Sequence, residues 1–221
     1  MLGGAASGIL RSMFVVTINQ RDSREVGDLV DDLIEDLADV EALVPFQRGR
    51  GDETQGVLTS ADAVVEAALL AMRLRRWHVG IGIGPVELPE GEERIDLATC
   101  EGPGLVASRQ AVNRAQKPGE RVPLAVTGPV TALADEAEAV LRLTGMIVAT
   151  RTEAEWRVLD LLVPGVRGQQ KFVAEALHIS TQAVSKAIQR SHWTEEQAIR
   201  PAAARLLALA DGSGGPRLGE E

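Results

Sequence analysis

The stretch WHVGIGIGP, Trp77–Pro85, limits the fold more than any other part of the chain. Side chains alternate across a strand, so Val79, Ile81 and Ile83 fall on one face and His78, Gly80, Gly82 and Gly84 on the other. The Val/Ile face is the kind that helices pack against. Three glycines on the second face weaken a strand unless something must approach its backbone closely. Two occupants meet that need. A neighbouring helix or second subunit can fill the gap, or a ligand can use the bare backbone as a platform, which makes Gly80, Gly82 and Gly84 ligand-binding positions. The spacing G-x-G-x-G matches neither the dinucleotide nor the P-loop fingerprint, so neither fold is read from it.

Hydrophobic patterning places further elements around this strand. Residues 13–18 (MFVVTI) read as a buried strand, and 24–40 as an amphipathic helix with Leu29, Leu33 and Leu37 inward. Short strands at 44–48 and 54–58 flank a turn at 49–53. Helices follow at 60–74, with Ser60 as cap, and at 102–116, with Pro103 in the first turn. A strand at 124–126 and a helix at 131–148 complete the front of the chain. The order β-α-β-β-α-β-α-β-α predicts an α+β fold, a ferredoxin-like, mostly antiparallel sheet with helices on one face and the other face open.

Charge divides the 221 residues unevenly. Residues 1–150 hold 14 basic and 23 acidic side chains, net −9, whereas 151–210 hold 8 and 6, net +2. The tail 211–221 is net −2, and the whole chain −9. Two modules with different partners are expected, at 13–150 and 151–210. Residues 1–12 read as a flexible leader with the wrong charge order for a secretory signal, and the Gly/Pro-rich 211–221 as a disordered tail. The single cysteine, Cys100, allows no internal disulfide and suits a cytoplasmic protein. No apolar run approaches the roughly 20 residues that span a bilayer, so no membrane partner is expected.

Charge also concentrates at the hairpin turn FQRGRGDETQGVL, where Asp52 and Glu53 follow Arg48 and Arg50. Either the turn is solvated, or it offers a carboxylate to a metal or nucleotide. In EGPGLVASRQAV the amides at 102–104 can hold an anion if they open a helix. Arg109 shares a helical side with Leu105 and Val112. It either extends along that stripe to solvent or aims at a phosphate over the glycine face.

Three motifs in order, GDETQGVL (51–58), HVGIGIGPV (78–86) and EGPGLVASRQAV (101–112), resemble the SatD family, whose front part is similar to the catalytic domain of class III nucleotide cyclases. The resemblance covers about 13–117. It implies a nucleotide cyclase-like fold with two metal-binding carboxylates, one ending the first strand and one in the hairpin turn. The second falls on Asp52 and the first on Asn19, with Asp22 displaced by three positions as a substitute metal ligand. The resemblance keeps the helix arginine as Arg109 but replaces its partner asparagine by Leu105. Two departures out of four point to a pocket that binds a nucleotide, with magnesium as a possible companion, without turning it over. The expected ligand-binding set is Asn19, Asp52, Glu53, Gly80, Gly82, Gly84 and Arg109, and the metal set Asp52 and Asp22.

The second module reads as helices at 154–162, 169–177 and 181–191, then 198–210, with the turn His178-Ile179-Ser180 between the middle pair. Ser180 caps the helix after it, as in a helix-turn-helix. Phe172, Val173, Ala176, Leu177, Ile179, Val184 and Ile188 form its expected core. Thr181, Gln182, Ser185, Lys186, Gln189 and Arg190 are expected to face outward. With Arg167 and Lys171 they make a DNA-binding set, four basic residues to one acidic over 167–190. The segment VAEALHISTQAVSKAIQR is similar to such segments in bacterial regulators. A small helical dimerisation module is the competing reading. The expected function is a homodimeric, DNA-binding transcription regulator that senses a nucleotide or nucleotide second messenger. A metal-dependent nucleotide cyclase or nucleotide-hydrolysing enzyme is the alternative, and a pure protein-interaction module the third.

Overall fold

The computed structural model describes residues 12–89, 91, 95–117 and 122–212. Of the expected leader and tail, 1–11 and 213–221 lie outside the described residues. The fold is α+β, built on a five-stranded mixed sheet. Its strands are β1 (Ser12–Gln20), β2 (Val44–Arg48), β3 (Glu53–Leu58), β4 (Trp77–Pro85) and β5 (Leu124–Thr127), in the order β2-β3-β1-β4-β5. β1 lies at the centre, antiparallel to β3 and β4, and β5 runs parallel to β4 at the edge. Helix α3 (Ala61–Leu74) starts at Ser60, whose hydroxyl accepts from the Ala63 amide, as its cap residue type dictates.

The apolar face of the sheet carries Phe14, Val16, Ile18, Leu58, Val79, Ile81, Ile83, Leu124 and Val126, all buried. Against it pack α3, α5 (Thr131–Thr150) and α9 (Trp193–Ala210), with α2 (Val30–Asp36) over the β2 side. The expected single helix over 24–40 is instead two, α1 (Ser23–Val26) and α2. Gly27 at φ 86 breaks the run, and the Gln20 side chain holds the break open, donating to the Gly27 carbonyl and accepting from the Leu29 amide. Asp28 then accepts from the Val30 amide at 3.0 Å and starts α2.

The opposite face is not open, which corrects the expectation of helices on one face only. Helix α4 (Pro103–Ala115) lies directly on Gly80 and Gly82. A Cβ at Gly82 would stand 2.1 Å from the Ser108 amide nitrogen, and one at Gly80 would stand 2.3 Å from that of Val112. The glycines are there so that a helix backbone can touch a strand backbone. A buried polar knot fixes the contact: Thr17 donates to the Ser108 hydroxyl at 3.0 Å, and the Gln55 amide donates to Thr17 at 2.7 Å. Thr17 and Ser108 are fully buried, so each hydroxyl needs such a partner.

Residues 151–210 do not pack as one unit. Helices α6 (Glu153–Leu159), α7 (Gln170–Leu177) and α8 (Thr181–Arg190) share a small core of Val158, Val173, Ala174 and Val184. α9 instead returns to the first core, burying Ala203, Ala204, Leu207 and Ala210 against α3 and α5. In the small core, Phe172 (62% exposed), Ile179 (40% exposed) and Ala176 are on the surface, not inside as their apolarity predicts. The inward stripe of α7 is Val173, Ala174 and Leu177, and Phe172 and Ala176 lie off that stripe on the exposed side. Thr152 and Glu155 close a reciprocal capping box at the start of α6, a Thr-x-x-Glu signature legible in the sequence.

The joint between the two parts is a buried ionic cluster. Arg151, ending α5, pairs with Glu196 of α9 at 2.7 Å, and its Nε donates to the Ser191 carbonyl at 2.9 Å. Arg200 also meets Glu196, at 2.6 Å. The Trp156 ring lies against the guanidinium groups of Arg73 and Arg151, at 4.1 and 4.9 Å. Arg73 further makes a two-point pair with Asp160, 2.7 Å on each arm, which ties α3 to the end of α6.

Candidate functional site

Two regions collect the residues singled out by the sequence. The first is a cleft of about 550 Å³ between the β2–β3 hairpin, residues 96–100 and the outer side of α4. Leu97, Leu105 and Val106 give it an apolar wall, and Arg48, Arg50, Glu53 and Arg109 give it charge. Glu53 is buried and receives Arg109 on both carboxylate oxygens, at 2.5 and 2.8 Å. It also accepts from the Arg50 amide at 3.2 Å. The charged turn is therefore more than a solvated loop, because Glu53 ties it to α4. Arg48 turns outward to Asp28 and Asp31, at 2.8 and 2.9 Å. The Arg50 guanidinium, unlike its backbone amide, meets no acidic side chain among the described residues.

Asp52 points elsewhere. One of its oxygens accepts from the Asn19 side-chain amide at 3.2 Å, the other from the Ser23 hydroxyl at 2.7 Å. Asn19 in turn accepts from Gln116 at 2.7 Å. The strand end and the hairpin turn therefore do meet, as the register of Asn19 with Glu53 requires. An amide and a hydroxyl, not a second carboxylate, face Asp52 there. Asp22 precedes α1 at φ 55 and makes no side-chain capping bond. Among the described residues no group of three or more His, Cys, Asp or Glu side chains is placed to hold a metal ion. Gly80, Gly82 and Gly84 are corrected as ligand positions, since the backbone of α4 occupies the space above them.

His78 stands on the same face as these glycines, opposite Asn19. Burial, and then the nearby Arg21 guanidinium, pull its imidazole below the ordinary histidine value, which keeps it neutral at neutral pH. Its Nδ1 is buried without a hydrogen-bond partner among the described residues.

The second region is the outer face of α8. A left-handed His178 at φ 54 ends α7, and Ser180 accepts from the Ala183 amide at 3.1 Å to begin α8. Val184 is buried, which turns Thr181, Gln182, Ser185, Lys186, Gln189 and Arg190 to solvent. Ser185 spends its hydroxyl on the Thr181 carbonyl, at 3.0 Å. Arg167 and Lys171 are exposed too, with Lys171 3.9 Å from Glu175 on its own helix. Lys186 and Arg190 border a groove of about 370 Å³ together with Arg157 of α6. Sequence reading missed Arg157, because nothing local tells that α6 brings it beside α8. Arg190 lies 3.6 Å from Glu155, whose carboxyl sits below its ordinary value chiefly because the Thr152 amide donates to it.

No protein-family model, no curated protein and no solved structure matches the chain. Among the described residues no helix is long and apolar enough to cross a membrane.

Proposed function

We propose that this protein is a DNA-binding transcription regulator with a nucleotide-sensing front domain. The observation that carries the reading is α8. In a chain of net charge −9 it holds no acidic residue, follows α7 through a three-residue turn, and exposes amide, hydroxyl and cationic side chains along one side. Helices so paired place the second one in the major groove, where such groups meet phosphates and base edges. Arg157 adds charge beside it. A homodimer fits this reading, since paired half-sites raise affinity.

The connectivity β-α-β-β-α-β with strand order β2-β3-β1-β4 supports a ferredoxin-like, cyclase-like front domain of the SatD kind. The hairpin cleft is its candidate nucleotide site, with Arg50 toward phosphate, Arg109 held beside it by Glu53, and Leu97, Leu105 and Val106 toward the base. Its volume lies within the roughly 300–1,000 Å³ of small-molecule sites. Binding without turnover is the favoured mode, because Asp52 faces Asn19 and Ser23 where metal-assisted phosphate chemistry wants a second hard anionic ligand. The test has two arms. Fluorescence anisotropy on the DNA upstream of the protein's own coding region should give salt-sensitive, sequence-dependent binding. A melting-temperature screen of ATP, GTP and cyclic nucleotides should give a saturable rise that Arg50→Ala removes. Absence of DNA binding at low salt sinks the regulator reading, and a flat screen sinks the nucleotide site.

A further inference from the structure

A third cavity, of about 270 Å³, lies beside the joint between α5 and α6, away from both regions above. Met72 and Arg75 bound it from the end of α3, Trp77 from the start of β4, Met146 and Ala149 from α5, and Arg21 from the end of β1. Two thioethers and an indole make its walls apolar. The two arginines make its rim cationic, and among the described residues no carboxylate lines it.

Arg21 and Arg75 meet no acidic side chain at ion-pair distance among the described residues, in a chain whose acidic side chains outnumber the basic ones. Their backbones are nonetheless anchored. The Arg21 amide donates to the Arg76 carbonyl at 2.7 Å, and Arg75 adopts a left-handed φ of 61 at the end of α3. One Arg75 nitrogen donates to the Arg151 carbonyl. A guanidinium has five N–H donors, so one such bond leaves others for an anion.

We propose that this cavity binds a compact organic carboxylate, its carboxylate held by Arg21 and Arg75 and its apolar body enclosed by Met72, Trp77 and Met146. Guanidinium groups match carboxylate geometry, and an apolar wall gives an inorganic anion nothing. The volume falls just under the usual range for small-molecule sites, which excludes a nucleotide and favours a single ring or branched chain. Because Arg75 also holds the Arg151 carbonyl, the bound molecule sits beside the turn from which α6 departs. The proposal needs neither DNA nor nucleotide binding to hold.

The test titrates the full chain with benzoate, phenylacetate and 3-methylbutanoate, following tryptophan fluorescence, to which Trp77 contributes from the cavity wall, and the melting temperature. At least one acid should saturate. Its uncharged amide should bind about tenfold or more weakly, the usual loss with a charge-assisted hydrogen bond. Arg21→Ala should show the same loss with the unliganded melting temperature unchanged, and Arg21→Lys should recover part of it. Should Arg21→Ala fail to fold, Ala149→Leu, which narrows the cavity from α5, must abolish saturation instead. The proposal is overturned if no acid saturates, if acid and amide bind alike, or if the folded variants keep wild-type affinity.

Discussion

Arg151 and Glu196 meet at 2.7 Å with side chains only 1% and 2% exposed, and this pair fastens the end of α5 to the start of α9. Burying two charges gains little by itself, but removing one partner strands the other in a dry site. Glu196→Ala would leave Arg151 and Arg200 both facing an empty place. The expected loss is about 3–5 kcal/mol, read from urea denaturation. The double variant Arg151→Met, Glu196→Leu should regain most of that loss. A single variant as stable as wild type would show that the pair holds nothing together.

The glycine face makes a sharp packing prediction. Gly82→Ala forces a methyl against the Ser108 amide, and Gly80→Ala against that of Val112. Backbone cannot give way as a flexible side chain can, so each should cost at least the ~1–3 kcal/mol typical of overpacking. Denaturant midpoints measure it. Midpoints equal to wild type would mean that α4 does not lie on β4.

Glu155 predicts a pH dependence. Its folded-state carboxyl titrates below the ordinary value, first through the Thr152 amide, so its ionised form is favoured by folding. That contribution is complete above the ordinary glutamate value, about 4.3, and is lost as pH falls through the lower, folded one. The stability difference between wild type and Glu155→Gln should therefore be largest at neutral pH and shrink in acid. Denaturant midpoints at neutral and acidic pH check this, and a difference that grows in acid reverses the sign and rejects the capping account.

On α8, Lys186 and Gln182 should fail differently. Losing a phosphate contact at Lys186 weakens binding to every sequence and lowers the log–log salt slope by about 0.9. Losing a base contact at Gln182 costs about 1–3 kcal/mol at one base pair and relaxes preference there. Isotherms at several salt concentrations on specific and scrambled DNA separate the two. Wild-type behaviour by both Ala variants on all DNA removes α8 as the reading element.

By itself, the sequence determined several elements whose signal is local, though not the break at Gly27. Alternation marked β4 and its apolar face, Ser60 and Ser180 marked the starts of α3 and α8, and Val184 among polar neighbours set which side of α8 faces solvent. Periodicity says which side of an element must be covered, but not by what. For β4 the residues allowed a helix or a ligand, and only packing chose α4, because the Thr17–Ser108–Gln55 knot needs a helix there to satisfy buried hydroxyls. The charged turn was visible too, yet Glu53 found Arg109 across 56 residues of chain, a distance no spacing rule spans. Phe172 was misplaced inward for a related reason: a short helix buries one stripe, and only its neighbours decide which. Nothing local announced that α9 leaves the small helical unit for the first core, or that Arg151, Glu196 and Trp156 meet at the joint. Buried charges and tryptophan find partners through the whole fold's desolvation, and that was settled only when the chain closed on itself.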